Sequence, residues 1–122
     1  MMEVAGLFLS GLVVAVQPAP VDVTNCAAYM TNNAQFGGSP VLAIGFTNTS
    51  ERTISSITFG VTSGSQPEAE VTDKGTFSTG AHVNHSFSSP VSGVTHTNCV
   101  VRSVTFSDGG QWVAGAEPPV QR

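Results

Sequence analysis

Val41-Leu42-Ala43-Ile44-Gly45-Phe46-Thr47, followed after a polar loop by Ile57-Thr58-Phe59-Gly60-Val61-Thr62, decides the fold. Leu42, Ile44 and Phe46 alternate with Ala43, Gly45 and Thr47, and Ile57, Phe59 and Val61 alternate with Thr58, Gly60 and Thr62. Successive side chains of an extended chain point to opposite faces, so each stretch reads as a strand with one apolar and one neutral face. Further out, Val83, His85 and Phe87 share a face against Asn84 and Ser86, and Val104 and Phe106 flank Thr105. These runs are rich in Thr, Val, Ile and Phe, which suit a pleated, half-buried surface. Beyond Gln17 no window of about a dozen residues has the spacing of an amphipathic helix.

Turn residues divide the runs. Gln35 to Pro40, Asn48 to Arg52, Ser63 to Pro67, Asp73-Lys74-Gly75, the polar stretch 88–97 and Asp108-Gly109-Gly110 each carry the Gly, Pro, Asn, Asp or Ser that tight turns favour. Gly75 is expected to take positive φ in its turn, and the Asp73 and Asp108 carboxylates to accept nearby backbone N–H bonds. The predicted strands are 21–30, 41–48, 53–62, 68–72, 76–87, 98–107 and 111–114. Short strands joined by short turns predict an all-β fold, an immunoglobulin-like antiparallel β-sandwich of about seven strands. Trp112 lies after both cysteines, so the antibody-domain pattern of a Trp between them is missing and the term describes architecture. The expected organisation is a signal peptide over 1–20, a β-sandwich domain over 21–115 and a flexible tail over 116–122.

Residues 4–16 (VAGLFLSGLVVAV) form an uncharged apolar run ended by Gln17-Pro18-Ala19-Pro20. The run is too short to span a bilayer, which takes about 20 residues, and has the length of a signal-peptide core. Glu3 stands where a basic residue is usual. The sequence predicts a mature start between about Ala15 and Val21 and a secreted or periplasmic location, with no membrane insertion after signal removal. In an exported chain an even cysteine count reads as a disulfide, here Cys26–Cys99, joining the first strand to the sixth. No CxxC arrangement points to redox or metal chemistry.

Hydrophobic residues make up 40% of the chain and charged residues 10%, with a formal net charge of −4. The four basic residues, Arg52, Lys74, Arg102 and Arg122, are scattered, so the clustered charge that displaces counterions from nucleic acid is absent.

Asp73-Lys74-Gly75-Thr76-Phe77-Ser78 with Gly80, Val83, His85 and Phe87, then Cys99-Val100-Val101, Val104, Phe106, Asp108-Gly109 and Trp112, resembles a group of uncharacterised small secreted bacterial proteins. Their shared pattern is D-x-G-x-F-S-x-G, C-x-V and D-G-x-x-W, and the likeness covers about residues 23–113, with Thr79 where Pro is expected. The resemblance implies export and a β fold and carries no activity.

Candidate chemistry is sparse. Imidazoles at His82, His85 and His96 could hold copper or zinc, but His82 and His85, three apart on a strand, point to opposite faces. His85 is expected at the core edge with its ring nitrogen on a backbone carbonyl, and His96 in a loop near Cys99. Trp112 and Phe77 are expected in the core; with Phe36 they are the alternative aromatic binding surface. Asn48-Thr49-Ser50 and Asn84-His85-Ser86 match the glycosylation acceptor pattern, which is idle in most bacterial settings. The function predicted is a non-enzymatic exported domain without cofactor, acting by binding or surface assembly, through an unknown protein or self-association at sheet edges. The alternative is a small exported metal-handling protein or enzyme using His85 or His96.

Overall fold

The computed structural model describes residues 18–31, 39–91 and 96–115. Most of the expected leader, all of the expected tail over 116–122, and Phe36 lie outside the described residues.

Among the described residues the apolar alternation becomes seven strands: β1 (Val21–Thr31), β2 (Ser39–Asn48), β3 (Ile54–Ser63), β4 (Ala69–Phe77), β5 (His82–Ser88), β6 (Thr97–Phe106) and β7 (Gln111–Val113). They pair antiparallel in two sheets, β1-β2-β5 (sheet I) and β4-β3-β6-β7 (sheet II). Two facing sheets with β5 returning to pair with β2 make the immunoglobulin-like sandwich that the alternation predicts.

The apolar faces meet in one core, in which Leu42, Ile44 and Phe46 of β2 face Ile57, Phe59 and Val61 of β3. The Phe46 ring lies 5.7 Å from that of Phe59 and 5.2 Å from that of Phe77, the latter edge-on. Fully burying one such side chain stabilises the fold by about 1.5–3 kcal/mol. Trp112 is half-buried and packs against this core, as expected.

Bulges keep the apolar residues in phase. Val23 pairs with Phe46 and Asn25 with Gly45, so Thr24 is an extra residue in β1. Without it Asn25 would face the core; with it Cys26 and Ala28 do. Opposite the bulge Gly45 is close-packed: a Cβ there would lie 2.9 Å from Thr24 Oγ1 and 3.2 Å from Asn25 Cβ. A second extra residue, in β6 between Val101 and Ser103, turns Arg102 outward and lets Val104 and Phe106 stay inside.

One expected turn is not a turn. The chain runs as a strand through Asp73-Lys74-Gly75, with one extra residue in β4 between Lys74 and Phe77. The reversal comes at 78–81, where Ala81 N–H donates to Ser78 O at 2.9 Å and Gly80 takes φ 79°. The Asp-Lys-Gly composition suggested a turn, but Ala69, Val71 and Asp73 continue the inward alternation against Phe59 and Ile57. Strand pairing therefore overrides the local turn preference.

At this end of the sandwich Asn48 is fully buried. Its Nδ2 donates to the carbonyls of Arg52 and Phe77, both at 2.9 Å, and its Oδ1 accepts from Ser50 N–H at 2.9 Å and Ser50 Oγ at 2.7 Å. The main chain joins in: Asn48 N–H donates to Ala81 O at 3.0 Å and Gly80 N–H to Asn48 O at 2.8 Å. Every polar atom of the amide is satisfied, so the Asn48-Thr49-Ser50 acceptor pattern is closed in the folded chain.

Candidate functional site

Two features of the sandwich stand apart from ordinary packing, one on each flank. On the first flank Cys26 of β1 and Cys99 of β6 form a disulfide, with Cα atoms 5.8 Å apart. Both half-cystines are half-buried against the core. Antibody domains place this bond between central strands of the two sheets. Here it ties an edge strand, because β1 ends sheet I among the described residues.

On the opposite flank β5, the other edge of sheet I, faces β4, an edge of sheet II. Asp73 of β4 points inward with its side chain 6% exposed, and His85 Nδ1 of β5 lies 2.6 Å from its Oδ2. The His85 side chain is 46% exposed, with ring centroids of Phe77 at 6.3 Å and Phe87 at 6.4 Å. This overturns two expectations: Asp73 is not a turn cap, and the His85 ring nitrogen meets a carboxylate rather than a backbone carbonyl. The physical reason is common to both. Alternation puts each on the inward face of its strand, and a buried carboxylate requires a hydrogen-bonding partner. The sandwich is thus joined by a covalent bond on one flank and a polar pair on the other.

The remaining candidates disperse. His82 faces outward and its Nδ1 lies 3.0 Å from Thr47 Oγ1, while His96 is exposed ahead of β6. Among the described residues no group of three or more His, Cys, Asp and Glu could hold a metal ion. Asp108 does accept the Gly110 N–H, at 2.9 Å, as expected of a turn carboxylate. It also forms a fork with Arg52, Nε–Oδ2 at 3.1 Å and Nη2–Oδ1 at 2.6 Å, and the Arg52 guanidinium sits 3.9 Å over the Phe106 ring. The Arg52 fork, then the Gly110 N–H, hold the Asp108 carboxyl below its usual range. Arg102 and Glu68 form a second fork, 2.5 and 2.8 Å, across the outer face of sheet II, and it holds the Glu68 carboxyl low in the same way.

The sheet edges differ in how they are guarded. An edge strand exposes unpaired N–H and C=O groups, and charge, bulges or shortness normally blunt it. β4 carries outward Glu70 and Lys74 and a bulge, and β7 has three residues. β5 has seven residues, and its His85 is tied across the sandwich to Asp73. β1, eleven residues long, carries one charge, Asp22, at its start. Beyond the Thr24 bulge its run 25–31 (NCAAYMT) has no charge, proline or second bulge, and Tyr29 and Met30 on it are 44% and 50% exposed.

These features define an immunoglobulin-like β-sandwich whose covalent clamp falls on an edge strand with an uncharged, unbulged run over residues 25–31. Compared with known proteins, the chain matches no family model, no curated protein and no solved structure. Among the described residues no helix is long and apolar enough to cross a membrane.

Proposed function

We propose that the protein is an exported, non-enzymatic binding domain that joins another polypeptide by strand addition at the edge of sheet I. One observation carries this reading: β1 is the longest strand among the described residues, and its run 25–31 carries neither the charges nor the bulge that blunt β4. Export rests on the apolar run 4–16 and on the disulfide, a bond that persists in oxidising compartments. A mature chain beginning between about Ala15 and Val21 is the expected product, and intact mass of secreted material measures it. A secreted chain that retains Met1 contradicts the cleaved leader.

The binding reading is tested by affinity capture from the producing culture with the wild type, Tyr29→Lys on β1 and Ser86→Lys on β5. A polypeptide held by the wild type and Ser86→Lys but lost by Tyr29→Lys supports it. Identical capture by all three overturns it.

One observation favours a second reading. A carboxylate on one ring nitrogen is the arrangement that orients many metal-binding imidazoles through the other nitrogen, and Asp73 stands so toward His85. Stoichiometric binding of copper or zinc, abolished by His85→Ala, would replace strand addition with metal handling.

A further inference from the structure

We propose that β1 pairs with β1 of a second copy of this chain, antiparallel about a two-fold axis, through residues 25–31. This deepens the strand-addition reading by naming the partner, and it rests on that reading.

Four observations converge on a second copy. First, the edge is neutral: residues 25–31 carry no charge, and the acid of β1, Asp22, stands on the far side of the bulge. A neutral edge selects a neutral strand, and the chain offers one in β1 itself. Apart from Asp22, the charged side chains on the described strands, Glu70, Asp73, Lys74 and Arg102, all lie on sheet II. Second, antiparallel pairing about a two-fold is self-complementary: every N–H and C=O that one copy offers meets its counterpart from the other.

Third, the edge is pre-formed. The Cys26–Cys99 bond fixes the middle of β1 to β6 of the opposite sheet. A strand clamped in this way cannot peel off and exchange with that of a neighbour, so it loses little freedom when it is paired. That rigidity favours edge-to-edge addition over strand swapping, and it gives a role to a disulfide that lies on an edge. Fourth, among the described residues sheet I has three strands, below the usual four to six. Pairing through β1 makes one continuous six-stranded sheet in the order β5-β2-β1-β1-β2-β5. It also brings Tyr29 and Met30, half-exposed in the single chain, against the partner strand.

The geometry closes. β1 of each copy is consumed by the other, and the outer edges of the joined sheet are the two short β5 strands. The assembly is therefore a dimer, not a filament.

Sedimentation equilibrium of the oxidised mature protein, over roughly micromolar to hundred-micromolar concentration, decides the matter. A reversible monomer–dimer equilibrium is the expected result. Tyr29→Lys and Ala27→Lys, each introducing like charges across the two-fold, should weaken it by about tenfold or more. Ser86→Lys on β5 should leave it unchanged, and circular dichroism should show all three variants folded. A wild-type protein that remains monomeric throughout overturns the second-copy proposal. It leaves the strand-addition reading to the capture experiment, in which loss of a foreign polypeptide by Tyr29→Lys would still uphold that reading. A dimer weakened by Ser86→Lys and not by the β1 variants, or open-ended oligomers, overturns the proposed interface.

Discussion

Asn48 and Asp73 are buried polar side chains whose partners come from other elements, and both can be tested one residue at a time. Asn48→Ala would strip partners from Ser50 and from the carbonyls of Arg52 and Phe77 at once. Each buried group left unsatisfied costs about 1–3 kcal/mol, so urea unfolding should show a loss of about 2–4 kcal/mol. A loss within about 0.5 kcal/mol would place the residue among ordinary surface positions. For Asp73 the informative experiment is a double-mutant cycle. His85→Val leaves a carboxylate buried without its partner, and about 2–4 kcal/mol of stability should disappear. Asp73→Val with His85→Val removes both halves, and stability should return to within about 1 kcal/mol of the wild type. Additive losses in the double variant would mean that the two side chains do not act as a pair.

At the scale of elements, alternation made the strands legible, and pairing decided where they ended. Leu42, Ile44 and Phe46 announced β2 and its inward face, and the same rule located β3, β5 and β6. The rule was silent about Thr24 and the extra residue of β6, because a bulge is set by the partner strand as much as by its own composition. It failed at Asp73-Lys74-Gly75, where local turn chemistry and long-range pairing disagree and the burial of Ala69 and Val71 wins. The Asp73–His85 pair was only half legible. His85 sat on a face assigned to the core, but Asp73 was assigned to a turn; that it continues β4 inward, and that β4 and β5 oppose one another across the sandwich, is set by strand pairing.

The charged forks act between elements and carry a pH dependence. Arg52–Asp108 links the β2–β3 loop to the β6–β7 turn, and Arg102–Glu68 links β6 to the segment before β4. In both, the carboxyl titrates lower in the folded chain than its ordinary value, 3.8 for Asp108 and 4.5 for Glu68. The sign follows: each fork stabilises the fold above those ordinary values and ceases to do so as pH falls through the lower, folded ones. Both forks are exposed, so the effect is small and salt-sensitive. Stability should hold level from neutral pH down toward those values and then fall. Arg52→Ala should shrink that acid-side fall, measured as unfolding midpoint against pH. An unchanged acid limb would show that the Asp108 fork does not contribute.

The whole molecule is a two-layer fold held on both flanks, and the two fastenings differ in kind. The disulfide closes a loop of 73 residues, worth about 4 kcal/mol in the chain-entropy model. Cys99→Ser should therefore lower stability by about 2–5 kcal/mol, and free-thiol titration of the native wild type should find no reactive thiol. The fold and the staple were legible because they depend on periodicity and on cysteine count. The edge was only half legible. That an open sandwich has edges follows from its class, but which edge lacks a guard depends on strand order and on the outward faces of β4 and β1.

Pairing of β1 with β1 of a second copy is tested directly by amide hydrogen exchange of the oxidised protein at dilute and high concentration. Within residues 25–31, the alternate amides that face away from β2 should slow at high concentration, while those of β4 and β7 stay unchanged. Unchanged exchange in β1, or slowing confined to another strand, would contradict the β1–β1 dimer.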